Sequence, residues 1–206
     1  MEIAGKLTIK DWAELEKKLI IDNDENWGLA FHFFEERIRT RYLNPIDAIL
    51  DMDLKTGEGF AVVNLQCSLI ETIESFINGI KYEHPNFILP NGNIFKEGSN
   101  GIFISFFNNR EPFKSKEING MDFYRYVRCG LLHETQTKNG WKISANETNT
   151  SIKGKTINRN LFQKDIETLM ENYKNAITKG EDLDGIKVSK LRENFKVKFK
   201  NICLKS

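Results

Sequence analysis

Proline and histidine are scarce: four and three in 206 residues. Few prolines leave room for uninterrupted helices, and each histidine calls for a reason to be there. The three cysteines, Cys67, Cys129 and Cys203, are odd in number, far apart and form no Cys-x-x-Cys. That excludes a disulfide framework and a cysteine zinc site, and Cys67 and Cys129, set among apolar residues, read as buried thiols. No metal and no cofactor is predicted. Neither sign of charge is in excess, with 30 Lys and Arg against 29 Asp and Glu. A surface coated for non-specific nucleic-acid binding is therefore excluded, while a local basic site is not. There is no Gly-x-Ser-x-Gly, hence no hydrolase nucleophile turn. Lys55-Thr-Gly-Glu-Gly lacks the Gly-Lys-Ser/Thr order of a phosphate-binding loop. With no basic leader and no apolar run fit to span a bilayer expected from the sequence, a cytoplasmic protein without membrane contact is predicted. Internal repeats and low-complexity tracts are also missing.

What is present points to aromatic, helix-rich packing. Fifteen phenylalanines accompany 40% hydrophobic and 29% charged residues, as in a globular chain able to bury a core. A first helix over 9–21 starts near Thr8 or Asp11 and sets Trp12, Leu15 and Leu19 on one side. A second, over 25–42, carries the stripe Trp27, Phe31, Phe34 and Ile38. His32 beside it reads as a packed or surface residue, and Arg37, Arg39 and Arg41 suit the negative end of the helix dipole. Asn44-Pro45 predicts a fresh helix start, a cap followed by proline, over 45–51.

Lys55-Thr-Gly-Glu-Gly opens a loop into the longest helix, 58–78. Its core stripe is Val62, Leu65, Leu69, Ile73 and Phe76. A polar stripe of Asn64, Ser68, Glu71, Ser75 and Asn78 faces solvent, a second subunit or a site, and Gly79 is placed to end the helix. Residues 80–100 read as loop, with His84 an exposed residue before proline. A short apolar helix over 101–109 is capped by Ser99. Trp141–Ala145 and Ser151–Ile157 alternate with period two around Asn146-Glu-Thr-Asn-Thr, which predicts a small β-hairpin. A helix over 160–178 points Phe162, Ile166, Leu169, Tyr173 and Ile177 inward. In the lysine-rich segment 187–204, Phe195, Val197 and Phe199 alternate like a strand. Val188, Leu191, Phe195, Phe199 and Ile202 step by three and four, and the longer helical set is preferred; its lysines read as a solvated face.

One stretch concentrates chemistry. Phe123-Tyr-Arg-Tyr-Val-Arg-Cys-Gly-Leu-Leu-His-Glu134 sits on a helix over 121–132 with Tyr124, Val127 and Leu131 on its inner face. It holds Arg125, Arg128 and His133. An imidazole serves as general acid or base near neutral pH, typically for about 10²–10⁴-fold in rate. A guanidinium grips a phosphate through parallel hydrogen bonds and offsets developing charge. With the ribose 2′-hydroxyl as nucleophile, such a pair suits metal-free RNA cleavage. Residues five apart on an ideal helix point about 140° away from each other. Arg128 and His133 therefore converge only if the helix ends near Gly130, or if a second copy completes the site at a dimer axis. Glu71, midway along the polar stripe, is a candidate wall, and Arg125 a second phosphate contact. The structural alternatives are that His133 closes a helix C-terminus by charge and that Arg128 pairs with Glu134 or Asp122.

Arg128-Cys-Gly-Leu-Leu-His133 resembles the Arg-x4–6-His signature of the HEPN superfamily. Leu65-Gln-Cys-Ser-Leu-Ile-Glu-Thr-Ile-Glu74 looks like its first core helix, and the resemblance covers about residues 58–178. It implies a HEPN-like helical bundle, commonly dimeric. Many such domains are metal-independent endoribonucleases of toxin–antitoxin, abortive-infection and CRISPR-linked defence systems, with the motif Arg and His at the dimer interface. Cys129 stands where catalytic members often carry Asn, Asp or His. On this reading 1–206 is a single domain: an N-terminal helical extension (1–57), a HEPN-like core (58–180) with a small β-hairpin after the motif helix, and a basic C-terminal helix (181–206). Arg128 and His133 are the expected catalytic residues, with Arg125 and Glu71 in support. The expected partners are a second copy, an RNA substrate and an antitoxin or other protein. The alternative is a non-catalytic HEPN-like dimer that binds a nucleotide or a protein.

Overall fold

The computed structural model describes residues 1–52, 56–96, 98–146 and 149–204. The protein is mainly α: 61% of the described residues are helical, and three small sheets are found among them. In chain order it begins with β1 (Glu2–Ala4) and β2 (Leu7–Thr8), then α1 (Ile9–Glu16), α2 (Trp27–Ile38), α3 (Asn44–Asp51) and α4 (Glu58–Ile77). Next come β3 (Lys81–Glu83), β4 (Asn86–Ile88), α5 (Gly98–Asn109), α6 (Gly120–Phe123) and α7 (Cys129–Glu134). The last elements are β5 (Lys142–Ser144), β6 (Ile152–Lys153), β7 (Thr156–Asn158), α8 (Arg159–Lys179) and α9 (Val188–Leu204). The chain forms two compact units, each from separated stretches: unit 1 from 1–44, 73–96 and 171–206, and unit 2 from 45–72 and 97–170.

Unit 1 is built around aromatic side chains. Helix α1 starts at a capping box, in which the Thr8 hydroxyl accepts from Asp11 N–H and the Asp11 carboxylate accepts from Thr8 N–H. That start aims Trp12 and Leu15 inward. Phe195 on α9 is the hub, with ring centroids of Trp12, Trp27, Phe31, Phe34, Phe76, Tyr173 and Phe199 between 5.1 and 6.3 Å away. The polar residues of α9 are structural as well. Asn194 donates to Ile77 O at 2.8 Å, Lys198 to Ile80 O at 2.6 Å and Lys196 to Leu19 O at 3.3 Å. The first satisfies a carbonyl that the end of α4 leaves without a partner, and the other two satisfy carbonyls of the chain beyond α4 and α1. The predicted solvated lysine face is thus corrected in part: two of its lysines are anchored to backbone.

Unit 2 has its own aromatic cluster. Phe103, Phe106, Phe107, Phe113, Phe123, Trp141 and Phe162 interlock with centroid separations of 4.7 to 5.9 Å. Helix α6 approaches α5 so closely at Gly120 that a Cβ there would stand 2.5 Å from Phe103 O and 2.7 Å from Ile104 Cα. Only glycine allows this approach. Helix α8 is capped by Asn158, whose side-chain oxygen accepts from Asn160 and Leu161 N–H.

Several expectations change. Asn44 is helical rather than a cap, and a π turn over Arg39–Leu43 joins α2 to α3. Pro45 lacks an N–H and its ring crowds the carbonyl four residues back; the wider turn just before it accommodates both. Residues 80–100 contain the β3–β4 antiparallel hairpin instead of loop alone. Ser99 lies inside α5 rather than at its cap. The predicted single hairpin over 141–157 is a three-stranded sheet of order β5-β7-β6. β5 pairs parallel with β7, and the hairpin is β6–β7, turning at Gly154 with φ +58°. Glu147 and Thr148 of the expected connector, and Lys55 of the expected loop, lie outside the described residues. Finally, α4 is long and apolar enough to cross a membrane, which corrects the expectation that no such run exists. Its most apolar window has a mean hydropathy of 1.3, and 61% of that window is buried within the fold.

Candidate functional site

The motif helix runs through unit 2 as α6, a π turn over Tyr124–Arg128, and α7. Asn119 caps its start, the side chain accepting from Asp122 N–H at 3.0 Å. The π turn closes where Cys129 N–H donates to Tyr124 O, and the Tyr126 carbonyl accepts from Lys138 N–H at 2.8 Å. The helix does not end near Gly130. It continues to Glu134 and stops at Thr135, which is left-handed at φ 58°. Gly130 serves a different purpose: a Cβ there would meet Gln136 O at 2.6 Å, so the glycine lets the returning chain cross the helix.

Arg128 points at α4. Its Nε donates to Glu71 Oε1 at 2.9 Å, and both side chains are 23% exposed. The ion pair runs neither to Glu134 nor to Asp122. Glu134 pairs with Lys138 at 2.8 Å instead, and that hydrogen bond, with the Lys138 charge, holds its carboxyl below the usual range. Burial works against the charge of Arg128, but the charge and hydrogen bond of Glu71 outweigh it and raise the guanidinium above its ordinary value. The Cζ atom of Arg128 lies 5.9 Å from the centroid of the Tyr124 ring. No hydrogen bond from either Nη group is found among the described residues, so the terminal edge of the guanidinium is not consumed by the fold.

The other predicted site residues stand apart from this pair. His133 is exposed on the last turn of α7. With the helix unbroken between them, Arg128 and His133 leave it about 140° apart, so one chain does not bring them together. Arg125 is exposed, its Cζ 5.9 Å from the Tyr126 centroid. His32 is exposed, and exposed His84 accepts or donates a 3.0 Å hydrogen bond with the Tyr82 hydroxyl.

The cysteines divide. Cys67 is buried, and its thiol is pushed up first by burial and then by the Glu71 charge. Cys129, the first residue after the π turn, is only half-buried, which corrects the expectation of two buried thiols. Burial first, and then the neighbouring Cys129 side chain, raise the Tyr124 phenol above its ordinary value. Tyr124 is the residue that reading the sequence as core overlooked. The signal was its spacing of four from Arg128, which sets two helical side chains next to each other.

A surface groove of about 590 Å³ in unit 2 is lined by Ile104, Phe107, Lys114, Glu117, Ile118 and Met121, and none of the four predicted site residues reaches it. Among the described residues no group of His, Cys, Asp and Glu is placed to hold a metal ion. No family profile, curated protein or solved structure matches the chain significantly.

Proposed function

We propose that the protein is a HEPN-type, metal-independent endoribonuclease acting as a homodimer in the cytoplasm, within a toxin–antitoxin or phage-defence setting. The observation that carries this reading is the state of Arg128: Glu71 takes its Nε and leaves the Nη edge unbonded among the described residues. That edge is the one that grips a phosphate through two parallel hydrogen bonds. Arg128 is the phosphate clamp and His133 the general acid or base, with Glu71 orienting the clamp and Arg125 a further phosphate contact. The divergence of Arg128 and His133 on one helix supports a composite site, in which each catalytic centre takes its arginine from one copy and its histidine from the other. An antitoxin or other protein partner would act by covering that site.

The test is cleavage of labelled RNA in a chelator, with Arg128→Ala and His133→Ala each expected to abolish it. Mixing the two inactive proteins is the sharper arm. If the site is composite, half of the dimers are mixed and each carries one intact centre, so about a quarter of the parental activity returns. Undiminished cleavage by either single variant overturns the reading. The second reading is a HEPN-like dimer that binds a nucleotide or protein without catalysis. The ion pair of Arg128 favours it, since a paired arginine also serves as a plain binding residue. It predicts no cleavage by the parent and thermal protection by a bound nucleotide.

A further inference from the structure

We propose that Tyr124 is the positioning residue of the Arg128 phosphate clamp, its ring fixing the guanidinium plane while Glu71 fixes one edge. The proposal deepens the ribonuclease reading and rests on it for its consequence in catalysis.

A guanidinium on a long side chain has many rotamers, and whatever holds it beforehand lowers the entropy lost on binding phosphate. A single bond from Nε to Glu71 leaves the group free to swing about that contact. The Tyr124 ring, with the Arg128 Cζ 5.9 Å from its centroid, supplies a second, independent constraint of the cation–π kind. Tyr124 is itself immobilised. Its ring lies 5.6 Å from that of Phe103, which is fully buried and stacked on Phe123 at 5.9 Å. The π turn bonds Cys129 N–H back to Tyr124 O, so the tyrosine, the arginine and the cysteine belong to one closed turn.

Arg125 provides the internal contrast. Its Cζ also lies 5.9 Å from a tyrosine ring, that of Tyr126, yet Arg125 is exposed and no carboxylate pairs with it among the described residues. A ring alone is common to both arginines; a ring together with a carboxylate distinguishes Arg128.

The experiment follows the Arg128 Nε–Hε group by ¹⁵N relaxation in the full chain and measures RNA cleavage on the same samples. The variants are Tyr124→Phe, which keeps the ring, and Tyr124→Leu, which removes it; Tyr124→Met replaces the leucine variant if that one melts early. In the parent, the Nε–Hε order parameter is expected near the rigid-backbone value of about 0.85, falling below about 0.6 in Tyr124→Leu. Tyr124→Phe is expected to hold the parental value. In cleavage, Tyr124→Leu should lower kcat by about tenfold with KM nearly unchanged, and Tyr124→Phe should stay within about twofold. An arginine that remains rigid in Tyr124→Leu overturns the positioning role, whatever the cleavage result. An order parameter that behaves as expected, together with a parent that cuts no RNA, keeps the positioning role and removes the ribonuclease reading instead.

Discussion

Two arginines, one in each compact unit, are used in opposite ways. In unit 1, Arg192 is 1% exposed and bonded at all three guanidinium nitrogens. Its Nε and Nη2 donate to Ile177 O, Nη1 donates to Ile21 O, Nη2 also reaches Asp24 Oδ1 at 2.5 Å, and its Cζ lies 5.0 Å from the Trp27 ring centroid. In unit 2, Arg128 is half-buried and gives one hydrogen bond, through Nε, to Glu71. Both arginines face an aromatic ring and both meet a carboxylate. The difference is in the terminal nitrogens, which in Arg192 close the last turn of α8 and the chain after α1, and in Arg128 remain at the surface. A guanidinium bonded at every nitrogen is a structural part; one with its fork unoccupied is equipped to receive an anion.

The largest effect that would sharpen this contrast is in unit 1. Arg192→Met keeps the apolar stem and removes the fork, leaving the buried Ile177 carbonyl and the part-buried Ile21 carbonyl without their donors. A loss of about 3–5 kcal/mol is expected in denaturant unfolding, because breaking a buried charged network strands its partners. A loss below about 1 kcal/mol would mean that Arg192 is no more structural than a surface residue, and the contrast would collapse.

The next test asks whether the spare edge of Arg128 reflects a loosely seated helix. Gly120→Ala places a methyl 2.5 Å from Phe103 O and 2.8 Å from Ile104 N, both backbone atoms that no side-chain rotation can clear. Overpacking of this kind is expected to cost about 2–3 kcal/mol, read as a lower midpoint in thermal or denaturant unfolding. A neutral substitution would show that the helix start is slack, so the free edge of Arg128 would be a consequence of looseness rather than of placement.

How far the sequence carried this contrast differs between the units. The stripes of unit 1 were legible because helical period and burial coincide. Trp27, Phe31, Phe34 and Ile38 are all buried, and on α9 the three-and-four stepping through Leu191, Phe195 and Phe199 predicted helix over strand correctly. The inward course of Arg192 was not legible, since what recruits it is a pair of carbonyls 15 and 171 residues away in the chain. In unit 2 the inward set of α8, Phe162, Ile166 and Leu169, was also read correctly. The parallel β5–β7 pairing escaped because alternation sets a strand's faces and not its partner. The β3–β4 hairpin of unit 1 escaped because three-residue, largely exposed strands have no period to read. At the candidate site, the polar stripe of α4 singled out Glu71 as a wall, yet its bond to Arg128 spans 57 residues. The π turn that sets Tyr124, Arg128 and Cys129 together has no sequence signature like that of a cap or a glycine turn.

The smallest expected effect is the most diagnostic. Arg128→Ala removes an ion pair whose two side chains keep 23% exposure each, so water replaces much of what is lost. A loss of stability below about 1 kcal/mol is expected, against the several expected for Arg192→Met. Glu71→Gln, and the double variant with Arg128→Ala, complete a cycle in which the coupling between the two residues should be small and should shrink further as salt is raised. Stability and function would thus separate at Arg128: little change in unfolding, complete loss of RNA cleavage. Should Arg128→Ala instead unfold the protein as severely as Arg192→Met, the two arginines would be alike. The ion pair with Glu71 would then be the purpose of Arg128 rather than its support, and the phosphate-clamp reading would lose its footing.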